Sequence, residues 1–481
     1  MSDVTLSEFV EATATQFGIP GVAVGVLVDD RDVFACHGVT SLDNPQPVDS
    51  DTLFQHGSVT KTYTATALMR LVAQGRVELD TPVRTYLPEL ALADEDAAAR
   101  ITVANLLNHT AGLDWNLLVD TGDGEDALAE FVARLPELDL IAVPGARASY
   151  SQAGYNLAGR IIEKVTGQPF EQAIAELIFA PLGLANSFFA QREITARRFA
   201  EGHNAEADGS LTVARLWRPS RANNPGGGLA SSAADQLRWA RFHLGNGGAV
   251  LPTGTLLAMR RPTVALRAST FGDAIGIGWF LRDIDGVRTI GHGGSGNGQF
   301  AELLIVPERD FAIVVMSNAG PEGIACNRAI VRWALEYYLG VLERDPEPLP
   351  YDPPRAAELI GTYAIDAMTL SIAADETGLN LAVGVEPEIR AASDQEVPPD
   401  YPAAAVGLLP GTGDEYIVTA GGLRGQLGYF SRDEKGASAR DPVCAAGPVW
   451  ASDSICRLDS RPTSARISRR GFGLLSPNRQ L

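Results

Sequence analysis

The sequence is poor in cysteine, with only four in 481 residues, at positions 36, 326, 444 and 456. No C-x-x-C pair occurs, so neither a zinc site nor a disulfide framework is indicated, and buried free thiols are expected. Positive charge is also in deficit: 39 Lys and Arg stand against 59 Asp and Glu, a formal net charge of −20. Such an acidic surface repels nucleic acid and anionic lipid, which argues against both as partners. No apolar run approaches the roughly 20 residues that span a bilayer. The N-terminus, MSDVTLSEFVEATATQFG, lacks a basic leader and a continuous apolar stretch. It is therefore read as an amphipathic helix rather than a secretory signal, and a cytoplasmic protein is the expectation. No internal repeat is evident. No G-x-S-x-G elbow occurs, which disfavours an α/β-hydrolase. His37, His56, His203 and His243 form no ligand spacing.

What is present is ample apolar material. Hydrophobic residues make up 45% of the chain, enough for a sizeable core, and the length suits one large unit plus a smaller one. Short β-rich runs at 22–28 and 32–36 flank a polar turn and read as a hairpin. Residues 58–73 are apolar on nearly every face and read as a buried helix. From about 82 to 180 the pattern is helical, at 103–107, 125–134, 153–165 and 170–178, with Gly112, Gly145 and Gly167 as punctuation. A further helix is expected at 232–244. Strands follow at 275–281, 287–290, 300–306 and 311–316, and then a last long helix at about 323–340. Strands at both ends with helices between imply an α+β fold. One mixed, antiparallel sheet flanked by helices carries a helical subdomain, within residues 1–345.

The Pro-rich stretch PEPLPYDPP marks a linker at 346–355. Alternating runs beyond it, at 359–365, 370–373, 379–383, 403–409, 416–419 and 427–430, suggest a small β-barrel or sandwich over 356–435. Residues 436–481 break the pattern. They are rich in Arg and Ser and read as a disordered tail, or as a stretch read out of frame.

Three short elements can carry chemistry. In Ser58-Val59-Thr60-Lys61, a serine at the start of the buried helix has a lysine one turn later on the same face. A serine hydroxyl is a weak nucleophile and needs a base. A desolvated lysine can lose its proton and serve as one. Alone, the pattern also fits an N-cap serine followed by a surface lysine. Here the lysine stands inside an apolar helix, and burial needs a reason. In Tyr150-Ser151-Gln152, a tyrosine near a lysine can pass protons, and the glutamine can hydrogen-bond a substrate amide. Alone, Tyr150 also fits a packed aromatic. In His292-Gly293-Gly294-Ser295, glycines let a strand backbone approach a ligand closely. The Ser295 N–H, paired with that of Ser58, is then a candidate oxyanion donor, and His292 can donate to a substrate carboxylate or to the oxyanion. A Gly-rich turn fits the same run; a phosphate loop fits poorly, since no G-K-[ST] follows. His109 is read as structural, and residues 225–229 (PGGGL) either line a cleft or turn the chain.

In this order the pieces resemble the serine β-lactamase and penicillin-binding protein superfamily. The likeness is closest to class C enzymes, D-alanyl-D-alanine carboxypeptidases, D-aminopeptidases and family VIII esterases. SVTK at 58–61 matches the S-x-x-K motif, YSQ at 150–152 stands where Y-x-N is usual, and HGG at 292–294 stands for K-T-G or H-x-G. The stretches LLNHTAGL, YSQAGYNLAGRIIEKVTG and PGGGLASSAADQLRWARF are similar to recurring segments of that superfamily, and the resemblance covers about residues 5 to 342.

The resemblance implies that Ser58 attacks a carbonyl while Lys61 and Tyr150 share the general-base work. His292 completes the catalytic set; Gln152, Gly293, Gly294 and Ser295 bind substrate. No metal or organic cofactor is implied. The partner is a small ester, amide or peptide substrate, and a homo-oligomer is compatible. Two departures, Gln152 for Asn and His292 for Lys, point away from a dedicated β-lactamase and toward an esterase, amidase or D-peptidase. The same residues also fit an acyl transferase or peptide cyclase, or a non-catalytic binding protein on the same fold.

Overall fold

The computed structural model describes residues 4–430, apart from 116, 118, 207, 216–219, 366–367, 386–399 and 412–413, together with the pair 456–457. Helix α1 (Leu6–Phe17) begins at a capping box between Thr5 and Glu8 and ends at Gly18 in the left-handed region. The hairpin β1 (Gly21–Val28) and β2 (Arg31–Gly38) turns through Asp29 and Asp30, both at positive φ. That is the backbone sense that matches strand twist. The main helices that follow are α2 (Thr60–Ala73), α3 (Gln152–Thr166) and α4 (Ala233–Leu244).

Six strands then complete the sheet: β3 (Val264–Ser269), β4 (Gly272–Ile275), β5 (Phe280–Ile284), β6 (Val287–Gly296), β7 (Gln299–Val306) and β8 (Phe311–Ser317). Their spatial order is β2–β1–β8–β7–β6–β5–β4–β3, with every pair antiparallel. Strand β1 thus pairs with β8, Val22 opposite Ser317. Alternation sends Val22, Val24 and Val26 to one face, where they meet α1 and α5 (Glu322–Ala334) in a core with Ile313, Val315 and Ile330. Phe9 stacks on Trp333 there at 4.8 Å. Ala23 and Leu27 face the other way, into the larger core under α2, α3 and α4 with Tyr63, Leu68, Leu237 and Trp239. The helical subdomain lies on this second side.

Two details of the sheet differ from the pattern in the sequence. The apolar run 275–281 is two strands, not one, because residues 276–279 turn away against α2; Gly278, at φ 75°, sits against Ala65. Edge strand β3 was not anticipated, since Arg267 and Ser269 dilute its apolar signal. Strand β6 also runs on through the glycines to Gly296, six residues beyond the expected end at 290.

The C-terminal unit is a meander of β9 (Gly361–Ile365), β10 (Met368–Ala374), β11 (Leu379–Val385), β12 (Tyr401–Leu408), β13 (Glu415–Val418) and β14 (Leu427–Tyr429). Strand β15 (Cys456–Arg457) adds beside β9. The seven strands form one curled sheet, half a barrel, around Leu370, Ile372, Leu381, Val383, Tyr416 and Val418. The rest of 436–481, including Cys444, lies outside the described residues. Cys36 and Cys326 are free thiols, and Cys326 is buried. Among the described residues no helix is long and apolar enough to cross a membrane.

The two units are fastened at several places. Thr270 Oγ1 accepts from the Leu427 N–H at 2.7 Å. Arg267 pairs with Glu415 at 3.0 Å and lies over the Tyr429 ring. Trp115 packs against both the C-terminal core and the cluster around Tyr150. Behind the sheet, Glu343 of the connecting segment is gripped by Arg282 at 2.8 Å, Arg328 at 3.1 Å and Arg332 at 3.3 Å. Arg328 also pairs with Asp345 at 2.9 Å.

Candidate active site

Ser58 lies in a 3-10 turn, Gly57–Val59, that opens into α2. Three residues per turn in such a segment bring Lys61 back under Ser58. The helix is clasped to the PGGGL segment by its threonines. Thr64 Oγ1 donates to Pro225 O at 2.6 Å, and Thr60 Oγ1 accepts from the Leu229 N–H at 3.1 Å. The segment 225–229 therefore lines the site, and its Gly226 carbonyl points at Lys61.

Lys61 is fully buried and sits among three oxygens. Its Nζ donates to Gln152 Oε1 at 2.7 Å and to Gly226 O at 2.8 Å, and lies 3.1 Å from Ser58 Oγ. Burial drives its pKa well below the ordinary lysine value. A neutral amine has two N–H bonds and one lone pair. The amide and peptide carbonyls can only accept, so they take both N–H bonds and leave the lone pair for the Ser58 hydroxyl.

Tyr150 immediately precedes Ser151, which caps α3 by accepting from the Gly154 N–H at 3.1 Å. Lys61 Nζ is 4.8 Å from the Tyr150 ring centroid. His109, at φ 60°, brackets this tyrosine. Its carbonyl accepts from Ser149 N–H at 2.7 Å, its Nδ1 from Ser151 N–H at 3.1 Å, and its ring lies 4.5 Å from that of Tyr150. Burial, helped by the nearby Lys61, holds the His109 ring neutral. On the far side Tyr150 stacks with Phe271 at 5.2 Å, and Phe271 with Phe280 at 4.5 Å, so an apolar wall borders the site.

The Gly-rich part of β6 presses against the Ser58 turn. A Cβ on Gly294 would overlap His56 O and lie 2.9 Å from Ser58 N. A Cβ on Gly57, itself at φ 47°, would lie 2.5 Å from Ser295 N. The peptide groups of Ser58 and Ser295 are thus neighbours, as an oxyanion pair requires.

Two expected roles change with the geometry. Gln152 was expected to grip a substrate amide. Its Oε1 is instead on Lys61, and its Nε2 donates to Asn156 Oδ1 and to Asn223 O, both at 3.1 Å. His292 was expected to donate to a substrate carboxylate or to the oxyanion. It is buried, and desolvation, then the nearby Lys61, lowers its pKa to about 3. Its Nδ1 lies 2.6 Å from Gly293 O. That carbonyl only accepts, so the proton of the neutral ring is on Nδ1 and Nε2 offers a lone pair. The ring as placed accepts rather than donates.

Residues 6–335 match the family model for beta-lactamase. The chain is 36% identical to penicillin-binding protein 4 of Amycolatopsis lactamdurans over 320 residues, covering 64% of this chain and 84% of that one. It is 30% identical to esterase EstB of Burkholderia gladioli, over 60% of this chain and 83% of the relative. Among solved structures, SurE with D-Leu superposes at a TM-score of 0.70 and 26% identity, over 94% of this chain and 98% of that chain.

Proposed function

The chain belongs to the beta-lactamase family, and on that premise we propose that it is a serine hydrolase acting through an acyl-enzyme on Ser58. The observation that carries this reading is the seat of Lys61, whose two acceptors leave its lone pair aimed at the Ser58 hydroxyl. In the first step the Ser58 proton passes to Lys61 Nζ as Oγ bonds the substrate carbonyl carbon. The negative charge that develops on the carbonyl oxygen faces the N–H groups of Ser58 and Ser295. The tetrahedral intermediate collapses, the carbon–oxygen or carbon–nitrogen bond to the leaving group breaks, and Tyr150 relays the proton to that group. Water then attacks the ester on Ser58, yields its proton to the same base, and releases the acid with Ser58 reprotonated.

The substrate class is a small ester, or an amide or peptide carrying a D-residue. D-Leu held by SurE, which is similar over both units, supports the latter. Two features argue against efficient β-lactam turnover. Gln152 spends its amide inside the protein, and His292 offers no charge to a substrate carboxylate. Phe271 and Phe280 beside Tyr150 favour an apolar group on the substrate.

Incubation with p-nitrophenyl butyrate and, in parallel, with a fluorescent penicillin, followed by peptide mass spectrometry, tests the reading. Ester turnover with an acyl adduct on Ser58, lost in Ser58→Ala and reduced at least about a hundredfold in Lys61→Met, is the expected result. Undiminished turnover by a folded Ser58→Ala protein would sink it.

A further inference from the structure

A glutamine beside the catalytic lysine creates a difficulty that a simple hydrogen-bond count hides. The two ends of a primary amide have nearly the same shape and opposite polarity. With Oε1 toward Lys61, the amide takes an N–H from the amine and leaves the lone pair to Ser58. With Nε2 toward Lys61, the amide would donate into that lone pair and deprive Ser58 of its base. Something must hold the amide the right way round.

Asn156 follows Gln152 by four residues on α3, so the two side chains lie on one face. Gln152 Nε2 donates to Asn156 Oδ1 at 3.1 Å and to the Asn223 carbonyl at 3.1 Å. A peptide carbonyl cannot donate, so this contact admits only the NH2 end. Asn156 is oriented in turn, its Nδ2 donating to Asn223 Oδ1 at 3.0 Å. The segment carrying Asn223 is tethered by its neighbours: Asn224 Nδ2 donates to Glu171 at 2.6 Å, and Arg221 pairs with the same carboxylate at 2.9 Å. The tethered Asn223 carbonyl and Asn156 Oδ1 together hold the NH2 end of Gln152 away from Lys61. A Cβ on Gly226 would overlap the Gln152 amide, so the absence of a side chain at 226 is what lets the amide lie directly against that backbone.

We propose that Asn156 is a positioning residue for proton transfer at Lys61, acting with the Asn223 carbonyl to hold the Gln152 amide with its carbonyl toward the amine. The inference rests on the acyl-enzyme reading of Ser58. The groups that face Lys61 from other elements are Tyr150, Tyr155, His109 and His292, the two imidazoles being neutral. Burial is the cause of its lowered pKa, with no carboxylate contributing among the described residues. Asn156→Asp therefore keeps an acceptor for Gln152 Nε2 and brings a new negative charge near the amine. Asn156→Leu removes the acceptor.

The test is the second-order rate of Ser58 modification by a fluorophosphonate, followed by intact mass from pH 5 to 10 in the full-length protein. This step replaces the phosphorus–fluorine bond by a bond to Oγ, with the Ser58 proton going to Lys61 and fluoride leaving. Asn156→Leu should react about tenfold more slowly across the range, the factor one neutral hydrogen bond is worth. Asn156→Asp should approach the wild-type plateau at alkaline pH while its acid limb moves to higher pH. Circular dichroism and melting temperature establish that both variants are folded. Variants that superimpose on wild type, or that both slow equally with the acid limb unmoved, would overturn the inference while leaving Ser58 chemistry standing. A wild-type protein that does not react at Ser58 would remove the parent reading, and the positioning role with it.

Discussion

At the scale of single residues the site depends on which oxygen faces which proton. Gly226 has the sharpest consequence. A methyl group there would overlap the Gln152 amide and push it off Lys61. Gly226→Ala should remain folded and lose activity by about a hundredfold, the usual penalty for displacing a catalytic group by an ångström. Steady-state kinetics beside a melting curve checks this; full activity would mean that Gln152 is dispensable. The serine, lysine, tyrosine and glycine-strand positions were readable because each carries a distinctive side chain or backbone requirement in sequence order. Gly226 O and Asn223 O were not, because peptide carbonyls have no residue signature. Asn156 had one available signal, its i+4 spacing from Gln152. His109 was read as structural; its part in bracketing Tyr150 depends on a positive φ that a histidine seldom adopts.

At the scale of elements the period-2 runs marked most strands, and the C-terminal meander follows its alternating segments closely. The turn at 276–279 escaped notice because Ile275, Ile277, Trp279 and Phe280 are apolar whether the chain runs straight or folds back. Only packing on α2 decides it. Longer-range fastening was equally invisible, since Glu343 meets Arg282, Arg328 and Arg332 only once the sheet is built. That carboxylate is 6% exposed, and without it, among the described residues, Arg282 loses its ion-pair partner while Arg328 and Arg332 rest on Asp345 alone. Glu343→Ala should therefore destabilise the protein by about 3–5 kcal/mol, as removal of one partner of a buried ionic cluster does. Urea unfolding measures it, and a loss below about 1 kcal/mol would identify the network as effectively solvated.

At the scale of the whole molecule, buried histidines set the response to acid. Burial lowers His56 to about 4 and His292 to about 3 from an ordinary 6.5, and holds His109 and His243 well down too. All four are neutral when folded and take up protons when unfolded below about pH 6.5. The unfolded state then binds more protons, so the contribution of these rings is complete above that pH and is lost as pH falls through it, offset in part by the buried Glu302 carboxyl, which burial pushes up to about 7. Each ring contributes a slope of about 1.4 kcal/mol per pH unit. Urea midpoints should drop between pH 7.5 and 5.5; equal midpoints would show that the rings titrate normally.

The pairing of β1 with β8 also governs how this molecule comes into being. Strand β1, next to the edge strand β2, is made long before its partner, 311–317, which emerges only after the whole helical subdomain has been made. At roughly 5–20 residues per second, the β1–β2 hairpin waits tens of seconds with one edge unpaired. Final closure is a long-range event with a large entropic cost, which predisposes the nascent chain to slow maturation and to capture by holding chaperones.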